Sequence, residues 1–186
     1  MLNISKKSRK RFNTIKPKTN VVNPFVTFNK HENVSVELSN YPNWMNSVDV
    51  KGFNNFYHDS EEACYVAYQI LNKMISFIRT HSKEIISNQY THCHTISSKE
   101  KRELIVKVNC QINKFSLDPQ ISLWEIAVSN SGGVRVIFGL YNNDDNFYFY
   151  PLFIDAHHQI YSDSKFRSNY SKICKTRFQD MKKPSY

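Results

Sequence analysis

Glycine is scarce in this chain, and long apolar runs are missing. Only four of the 186 residues are glycine, which excludes collagen-like chains and Gly-rich linkers. The longest apolar stretch, 147–154, is far shorter than the ~20 residues of a membrane-spanning helix and is typical of a strand. The basic N-terminus is not followed by the apolar segment of a secretory signal. We therefore expect a cytoplasmic protein that does not contact a membrane.

Metal-binding and phosphate-binding motifs are also missing. The four cysteines, at positions 64, 93, 110 and 174, contain no CxxC pair, so in a reducing compartment we expect free thiols. His92-Cys93-His94 with Cys110 has ligand chemistry, but consecutive ligands do not fit the wider spacings of structural zinc sites. The Gly-Gly pair at 132–133 lies in a hairpin turn and not before a helix, unlike a phosphate-binding loop. The sequence thus predicts no metal and no cofactor.

Positive charge is concentrated at the two ends of the chain, whose net charge is +9. Residues 1–20 carry seven Lys and Arg and no acid, residues 165–186 carry seven against one acid, and the middle carries eleven against fifteen. Basic ends attract polyanions, and phosphate backbones are the commonest of these; the alternative is that the ends only keep the protein soluble. The residues of the first end that we expect to contact nucleic acid are Lys6, Lys7, Arg9, Lys10 and Arg11. The sequence predicts a basic arm over 1–24, one domain over 25–164 and a basic tail over 165–186.

Short strands are predicted at 25–28 and 34–38, followed by a loop over 39–58 that Trp44, Phe53 and Phe56 attach to the core. Two amphipathic helices follow. Asp59 with Glu62 forms a capping box for the first, and Ser97 with Glu100 forms one for the second. Apolar residues then recur at helical spacing: Ala63, Val66, Ala67, Ile70, Leu71, Met74, Phe77 and Ile78, then Leu104, Val108, Ile112 and Phe115.

Three strands at 123–128, 134–141 and 146–154 are joined by turn-forming sequences, which predicts two antiparallel hairpins. With Val128 opposite Val134 and Tyr141 opposite Asn146, one face is apolar and is expected to receive both helices. That face holds Trp124, Ile126, Val128, Val134, Val136, Phe138, Leu140, Phe147, Phe149 and Phe153. The other holds Glu125, Arg135, Ile137, Tyr141, Tyr148 and Tyr150 and is expected to be open to solvent or a ligand. Pro151 cannot donate to the ladder and marks an edge or a bulge.

The order of a strand, two helices and a three-stranded meander resembles the RelE/HigB/ParE toxin superfamily. The resemblance is strongest over 123–161, where Leu-Trp-Glu-Ile at 123–126 and Gly-Gly-Val-Arg-Val-Ile-Phe at 132–138 are similar to the family's "LWE" and "GG-x-R-V-x-F" patterns. The stretch that ends at Tyr161 is similar to its last strand and late tyrosine. The resemblance implies an α+β fold, in which an antiparallel twisted sheet of the N-terminal strand and the meander packs on two helices.

Many members of that family cleave mRNA, usually on the ribosome, by attack of the 2′-hydroxyl on the adjacent phosphate. This reaction needs a base, an acid and cations. Arg135 is the basic residue suited to clamp the phosphate, or it forms an ion pair with Glu125 that only steadies the sheet. His158, and less favourably His157, is the expected acid or base; the alternative is a histidine hydrogen-bonded to the backbone of a loop.

Further residues are expected to help this site. Tyr161 is expected to stack on a base or bond the phosphate, or else to close the edge of the core. Glu125 is a possible base, although such a residue is more often a salt-bridge partner. Lys165 and Arg167 are expected to add positive charge, or to lie in a solvated tail. Tyr148 and Tyr150 are expected to stack on bases, or to form the outer face of an ordinary strand.

The sequence thus predicts a toxin-like endoribonuclease that acts on mRNA, in association with the ribosome, and that binds a cognate antitoxin. The alternative is a non-catalytic nucleic-acid-binding or inhibitor protein of the same fold, encoded by a phage or a plasmid. A third reading is an accessory structural protein with basic ends.

Overall fold

The computed structural model of the chain describes residues 33–128, 133–143, 146–162 and 164–182. The predicted basic arm, the strand predicted at 25–28 and the centres of both hairpin turns lie outside these residues. In the described part, every helix is too short or too polar to cross a membrane.

The described chain is α+β, with a mixed five-stranded sheet in the order β1-β7-β6-β5-β4. Its strands are β1 Asn33–Val36, β4 Cys93–Thr95, β5 Ser122–Ala127, β6 Arg135–Asn143 and β7 Asn146–Asp155, and a small hairpin pairs β2 Asp49–Val50 with β3 Phe53–Asn54. The helices are α1 Ser60–Gln69, α2 Ile75–Thr80, α3 Ser82–Ile86, α4 Lys99–Asn113 and α5 Ser164–Ile173. A π-helical segment, Ile70–Met74, joins α1 to α2, and a 3₁₀ turn covers Phe178–Lys182.

The two predicted hairpins of the meander are confirmed, since β5–β6 and β6–β7 are antiparallel. The expectation of a wholly antiparallel sheet is wrong, because β1 pairs with β7 in parallel. A parallel pair needs a long connection, and here the whole of α1 to β6 lies between the two strands. On the other edge, the unpredicted strand β4 pairs antiparallel with β5.

The register of the first hairpin follows the prediction, and that of the second does not. Ile126 lies opposite Val136, as expected. In the second hairpin Tyr141 lies opposite Tyr148 instead of Asn146, and a bulge interrupts the pairing between Ile137 and Phe138. Leu152, next to Pro151, is the extra residue, so beyond it the side chains of β7 change face. The irregularity predicted from Pro151 is therefore present.

Both faces of the sheet are covered, which corrects the prediction of one open face. One core packs α1, the π segment, α2 and α3 on the face of Trp124, Ile126 and Phe138. A second core packs α4 on the opposite face, with Ile137 and Phe153. Phe153 was predicted on the first face and lies on the second because of the bulge. The structure is therefore a helix–sheet–helix sandwich.

The first helical region begins as predicted, and the second begins one residue later. The Asp59 carboxylate accepts from the Glu62 amide at 2.8 Å, and Ala63, Val66, Ile70, Met74 and Ile78 face the core. The four-residue steps among them exceed the 3.6 residues of an α-helical turn, and the wider π segment accommodates the difference. The N-cap of α4 is Ser98, without a side-chain cap bond, so the capping box at Ser97 is wrong.

Polar residues of α4 take part in its buried face. Phe115 is exposed, and the buried stripe is completed by Ile105, Asn109 and Asn113. The Asn113 amide donates to the Asn109 side-chain oxygen and to the carbonyl of Leu152, each at 2.9 Å. A side chain of α4 therefore supplies the hydrogen-bond donor for a backbone carbonyl at the bulge in β7.

The segment predicted as a basic tail is folded against the domain as far as residue 182. Tyr57 and Thr176 form a two-way backbone bridge, with N–O distances of 2.9 and 3.0 Å. The Ser47 hydroxyl accepts from the Phe178 amide at 3.0 Å, and Phe178 and Met181 pack on the first core. Residue 165 is therefore not a boundary between a domain and a solvated tail.

Candidate functional site

A buried ion pair forms the base of the candidate site. Glu125 of β5 and Arg135 of β6 are diagonal neighbours on the face that α4 covers, and the Arg135 Nε lies 3.3 Å from the Glu125 Oε1. Their side chains are 1% and 8% exposed. The expectation that Arg135 projects from an open sheet face is therefore wrong, because α4 and the turn after β7 cover this end of the sheet.

Two carboxyl groups compete for this one guanidinium. Asp155 of β7 is the cross-strand neighbour of Arg135 and is fully buried. Burial, reinforced by the charge of Asp155, raises the pKa of Glu125 to about 7; burial also raises the pKa of Asp155 to about 6. Since two buried carboxylates and one cation would leave a net negative charge in the interior, the site holds a proton close to neutral pH.

Asp155 also builds the turn that presents His158. Its two carboxylate oxygens accept from the amides of Gln159 and Ile160 at 2.7 and 2.9 Å. Inside this turn His158 has φ +52°, a left-handed conformation that side chains other than glycine rarely adopt. The result is that the His158 Nε2 lies 3.0 Å from the Glu125 Oε1 while 39% of the His158 side chain stays exposed.

Three further side chains surround His158. The ring of Tyr161 stacks on it, with centroids 5.7 Å apart and planes at 29°. His94 of β4 lies directly opposite Glu125 in the sheet and meets the Tyr161 ring edge-on at 5.4 Å. The ammonium of Lys101, in the first turns of α4, lies 3.1 Å from the centroid of the Tyr161 ring. We call Glu125, Arg135, His158, Tyr161, His94 and Lys101 the His158 cluster.

The electrostatics of the His158 cluster suit an anion. Desolvation lowers the pKa of His158, and the positive charge of Arg135 lowers it further, with smaller effects of His94 and Lys101. Burial also lowers the pKa of His94, and the positive charge of Arg135 is the second cause. Both imidazoles are therefore mainly neutral at pH 7 and can accept protons, and the cations beside them favour a negatively charged substrate.

A groove of about 480 Å³ begins at Tyr161 and Lys101. Its lining also includes Lys51 and Lys107, against two acids, Glu100 and Glu103. A phosphate-bearing chain that lay in this groove would pass lysine ammonium groups and end at Tyr161, which stacks on the partly exposed His158.

His157 lies in a different cluster, although it adjoins His158 in the sequence. Its Nε2–H donates to the carbonyl of Phe56 at 2.9 Å, its ring stacks on Tyr170 at 4.0 Å, and its side chain is 4% exposed. Near it, His58, Glu62 and Cys174 bring one ligand atom each within 4.8 Å of one another. The structure therefore does not bring His157 together with Arg135 and His158.

The other predicted binding residues are also apart from the His158 cluster. Tyr148 and Tyr150 stack with each other at 6.4 Å, beside Tyr141 at the far end of β6 and β7. The six residue steps along β6 from Arg135 to Tyr141 correspond to about 20 Å. Lys165 and Arg167 belong to α5, at positions whose side chains lie outside the described set, as do residues 6 to 11 of the arm.

Sequence reasoning missed His94 and Lys101. The signal for His94 was weak, because β4 has only three residues and its place depends on pairing with β5. No sequence motif includes Lys101, and only its contact with the Tyr161 ring identifies it.

One comparison with known proteins gives a match. The model of a family described as Uncharacterised protein UU032 matches residues 39–184, which is more than half of the chain. No curated protein and no solved structure matches.

Proposed function

The chain belongs to the UU032 family, and from its own site we propose that it cleaves RNA at the His158 cluster. The observation that carries the proposal is the pair of Glu125 and His158, 3.0 Å apart, with the imidazole partly exposed among cations. The same proposal includes a toxin-like role on mRNA at the ribosome and a relation to the RelE/HigB/ParE superfamily. It also includes a cognate antitoxin that covers His158.

His158 is the proposed base. Since its Nε2 is engaged with Glu125, its Nδ1 takes the proton of the ribose 2′-hydroxyl as the 2′-oxygen attacks the adjacent phosphorus. The bond from phosphorus to the 5′-oxygen breaks, and that oxygen takes a proton from the minor fraction of His94 that is protonated at neutral pH. The products are a 2′,3′-cyclic phosphate and a 5′-hydroxyl end. Each of these proton transfers contributes roughly 10²–10⁴-fold to the rate.

Lys101 and Arg135 have different roles in this proposal. The ammonium of Lys101 stabilises the negative charge that develops on the phosphate oxygens. Arg135 lies beneath the site and acts through Glu125, so it is a positioning residue and not the phosphate clamp that the sequence suggested. Tyr161 keeps the His158 ring in place and can offer its exposed edge to a base.

The test uses the purified full chain and a fluorescent oligoribonucleotide, with and without ribosomes. We expect cleavage that leaves cyclic phosphate ends and that stops when the substrate carries 2′-deoxyribose. His158→Ala should lose at least about 100-fold in rate, whereas the matched control His81→Ala should keep it, because His81 packs with Phe77 and Tyr90 elsewhere. Equal rates for both variants, or no cleavage by the wild type, would overturn the proposal.

The burial of Arg135 favours a second candidate, a protein that binds nucleic acid without cleaving it. In that case the lysines of the groove, Lys51, Lys101 and Lys107, supply affinity for phosphates. Binding would then weaken steeply with salt and would be unchanged by His158→Ala. An anisotropy titration with the same oligonucleotide measures this binding, and binding by the wild type without any cleavage separates this candidate from the first.

A further inference from the structure

We propose that His58, Glu62 and Cys174 bind a zinc ion. The imidazole, carboxylate and thiol place one ligand atom each within 4.8 Å of the other two. Nitrogen, oxygen and sulfur ligands in this mixture are those that Zn²⁺ prefers. Three protein ligands and one further position are the arrangement of zinc sites that remain open to water or a substrate.

The backbone around these ligands is already fixed. The Tyr57–Thr176 bridge holds the chain beside His58 against the chain beside Cys174, and the Thr176 hydroxyl donates to the His58 carbonyl at 3.2 Å. The Glu62 Oε2 accepts from the His58 amide at 2.7 Å, which leaves Oε1 as the oxygen that a metal would take. Two segments that are remote in the sequence, one with His58 and Glu62 and the other with Cys174, thus present their ligands without rearrangement of the main chain.

Only a small movement is needed to close the site. The lengths of Zn–N and Zn–S bonds imply roughly 3.6 Å between neighbouring ligands of a tetrahedral ion. The three ligand atoms lie within 4.8 Å of one another, so each pair has to approach by at most about 1.2 Å. His58 is exposed, so a rotation of its side chain can make up this difference. Cys174 is 1% exposed, and its thiol loses a proton when the metal binds.

His157 supplies the outer shell of such a site. It lies 3.6 Å from the Cys174 sulfur and 4.0 Å from the Glu62 Oε1, and its hydrogen bond to the Phe56 carbonyl fixes the ring. Partners that orient metal ligands in this way affect metal affinity by about 10–100-fold when they are removed. Removal of a direct ligand should lower the metal affinity by a larger factor than removal of His157.

The test is a titration of the chelator-treated full chain with Co²⁺, which reports thiolate ligation by charge-transfer absorption, followed by displacement with Zn²⁺. We expect one site per chain and a thiolate band. Cys174→Ser should abolish the band, and His58→Ala should weaken binding more than about 100-fold. The matched control Cys110→Ser, at an exposed cysteine of α4, should keep both the band and the affinity.

Three results would overturn the proposal: no thiolate band in the wild type, a band that survives Cys174→Ser, or wild-type affinity in His58→Ala. A surviving band would point to Cys93 between His92 and His94. Because His58 is exposed, His58→Ala should fold, and its affinity decides the matter if Cys174→Ser does not fold. The proposal does not depend on the RNA-cleaving role of the His158 cluster.

Discussion

The substitution Glu125→Gln tests whether a buried carboxyl holds a proton at this site. Burial raises the pKa of Glu125 from its ordinary value of 4.5 to about 7. Between these two pH values the folded protein keeps a proton that the unfolded chain has released. The free energy of unfolding therefore falls as the pH rises through this window, because stability increases with pH only where the unfolded state binds more protons.

The size of the effect follows from the two pKa values. A difference between 4.5 and about 7 corresponds to about 3 kcal/mol, at about 1.4 kcal/mol per pKa unit. The Glu125 side chain is 1% exposed, so solvent screens this effect little. Glutamine has nearly the same shape and cannot ionise, so the variant lacks this contribution. The lowered pKa of His158 acts in the opposite direction, and for that reason the two proteins are compared at each pH.

Urea unfolding followed by tryptophan fluorescence gives the measurement, since Trp44 and Trp124 are both buried. From about pH 4.5 to about pH 8, the stability of the wild type relative to Glu125→Gln should fall by about 3 kcal/mol. Glu61→Gln, at an exposed position of α1, is the matched control, and its difference from the wild type should stay flat. A flat difference for Glu125→Gln as well, or one that rises with pH, would refute the reasoning.

Three further predictions concern His158, Lys101 and Asn113. His158→Gly should abolish RNA cleavage but change the free energy of unfolding by less than about 1 kcal/mol, because relief of the left-handed conformation offsets the lost bond to Glu125; a larger loss of stability in urea would contradict this. Lys101→Met should move the acidic limb of the pH–rate profile to higher pH, since it removes a charge that lowers the pKa of His158; a limb that stays or moves down contradicts the electrostatic assignment. Asn113→Leu should cost about 2–4 kcal/mol in urea unfolding, because it leaves the Leu152 carbonyl and the Asn109 oxygen buried without their donor; a cost below about 0.5 kcal/mol would show that the bulge is satisfied in another way.

Local patterns predicted much of the secondary structure. The Asp59 cap, the apolar spacing of the first helix and the two hairpins of the meander depend on residues close in sequence, and each was found. The first hairpin kept its predicted register as well. The register of the second hairpin differs from the predicted one by two residues, which leaves each side chain on its predicted face. Only beyond the bulge at Leu152 do the side chains of β7 lie on the opposite face.

The arrangement of layers was not predicted. The alternation of apolar and polar residues was taken to mean that helices cover one face of the sheet and that the other face is open. The runs Val136-Ile137-Phe138 and Leu152-Phe153-Ile154 do not alternate, and such runs are typical of strands covered on both sides. Here α4 covers the second face and buries Arg135. The parallel partner of β1 depends on contacts between distant segments, which local patterns do not specify.

The identities at the candidate site were easier to predict than their geometry. Glu125, Arg135, His158 and Tyr161 were named from the sequence and lie together. The exposed group is His158, while Arg135 is hidden beneath Glu125. The proposed zinc ligands were missed because residue 62 and residue 174 are remote in the sequence, so no spacing rule could connect them.

The turn that follows β7 directs two consecutive histidines to opposite sides. One imidazole is held by Phe56 and Tyr170, and the next by Glu125 and Tyr161. A single peptide unit thus links the proposed metal centre to the proposed catalytic base. Because the hydrogen bond to Phe56 already fixes the first ring, we expect that substitutions at one centre leave the geometry of the other unchanged.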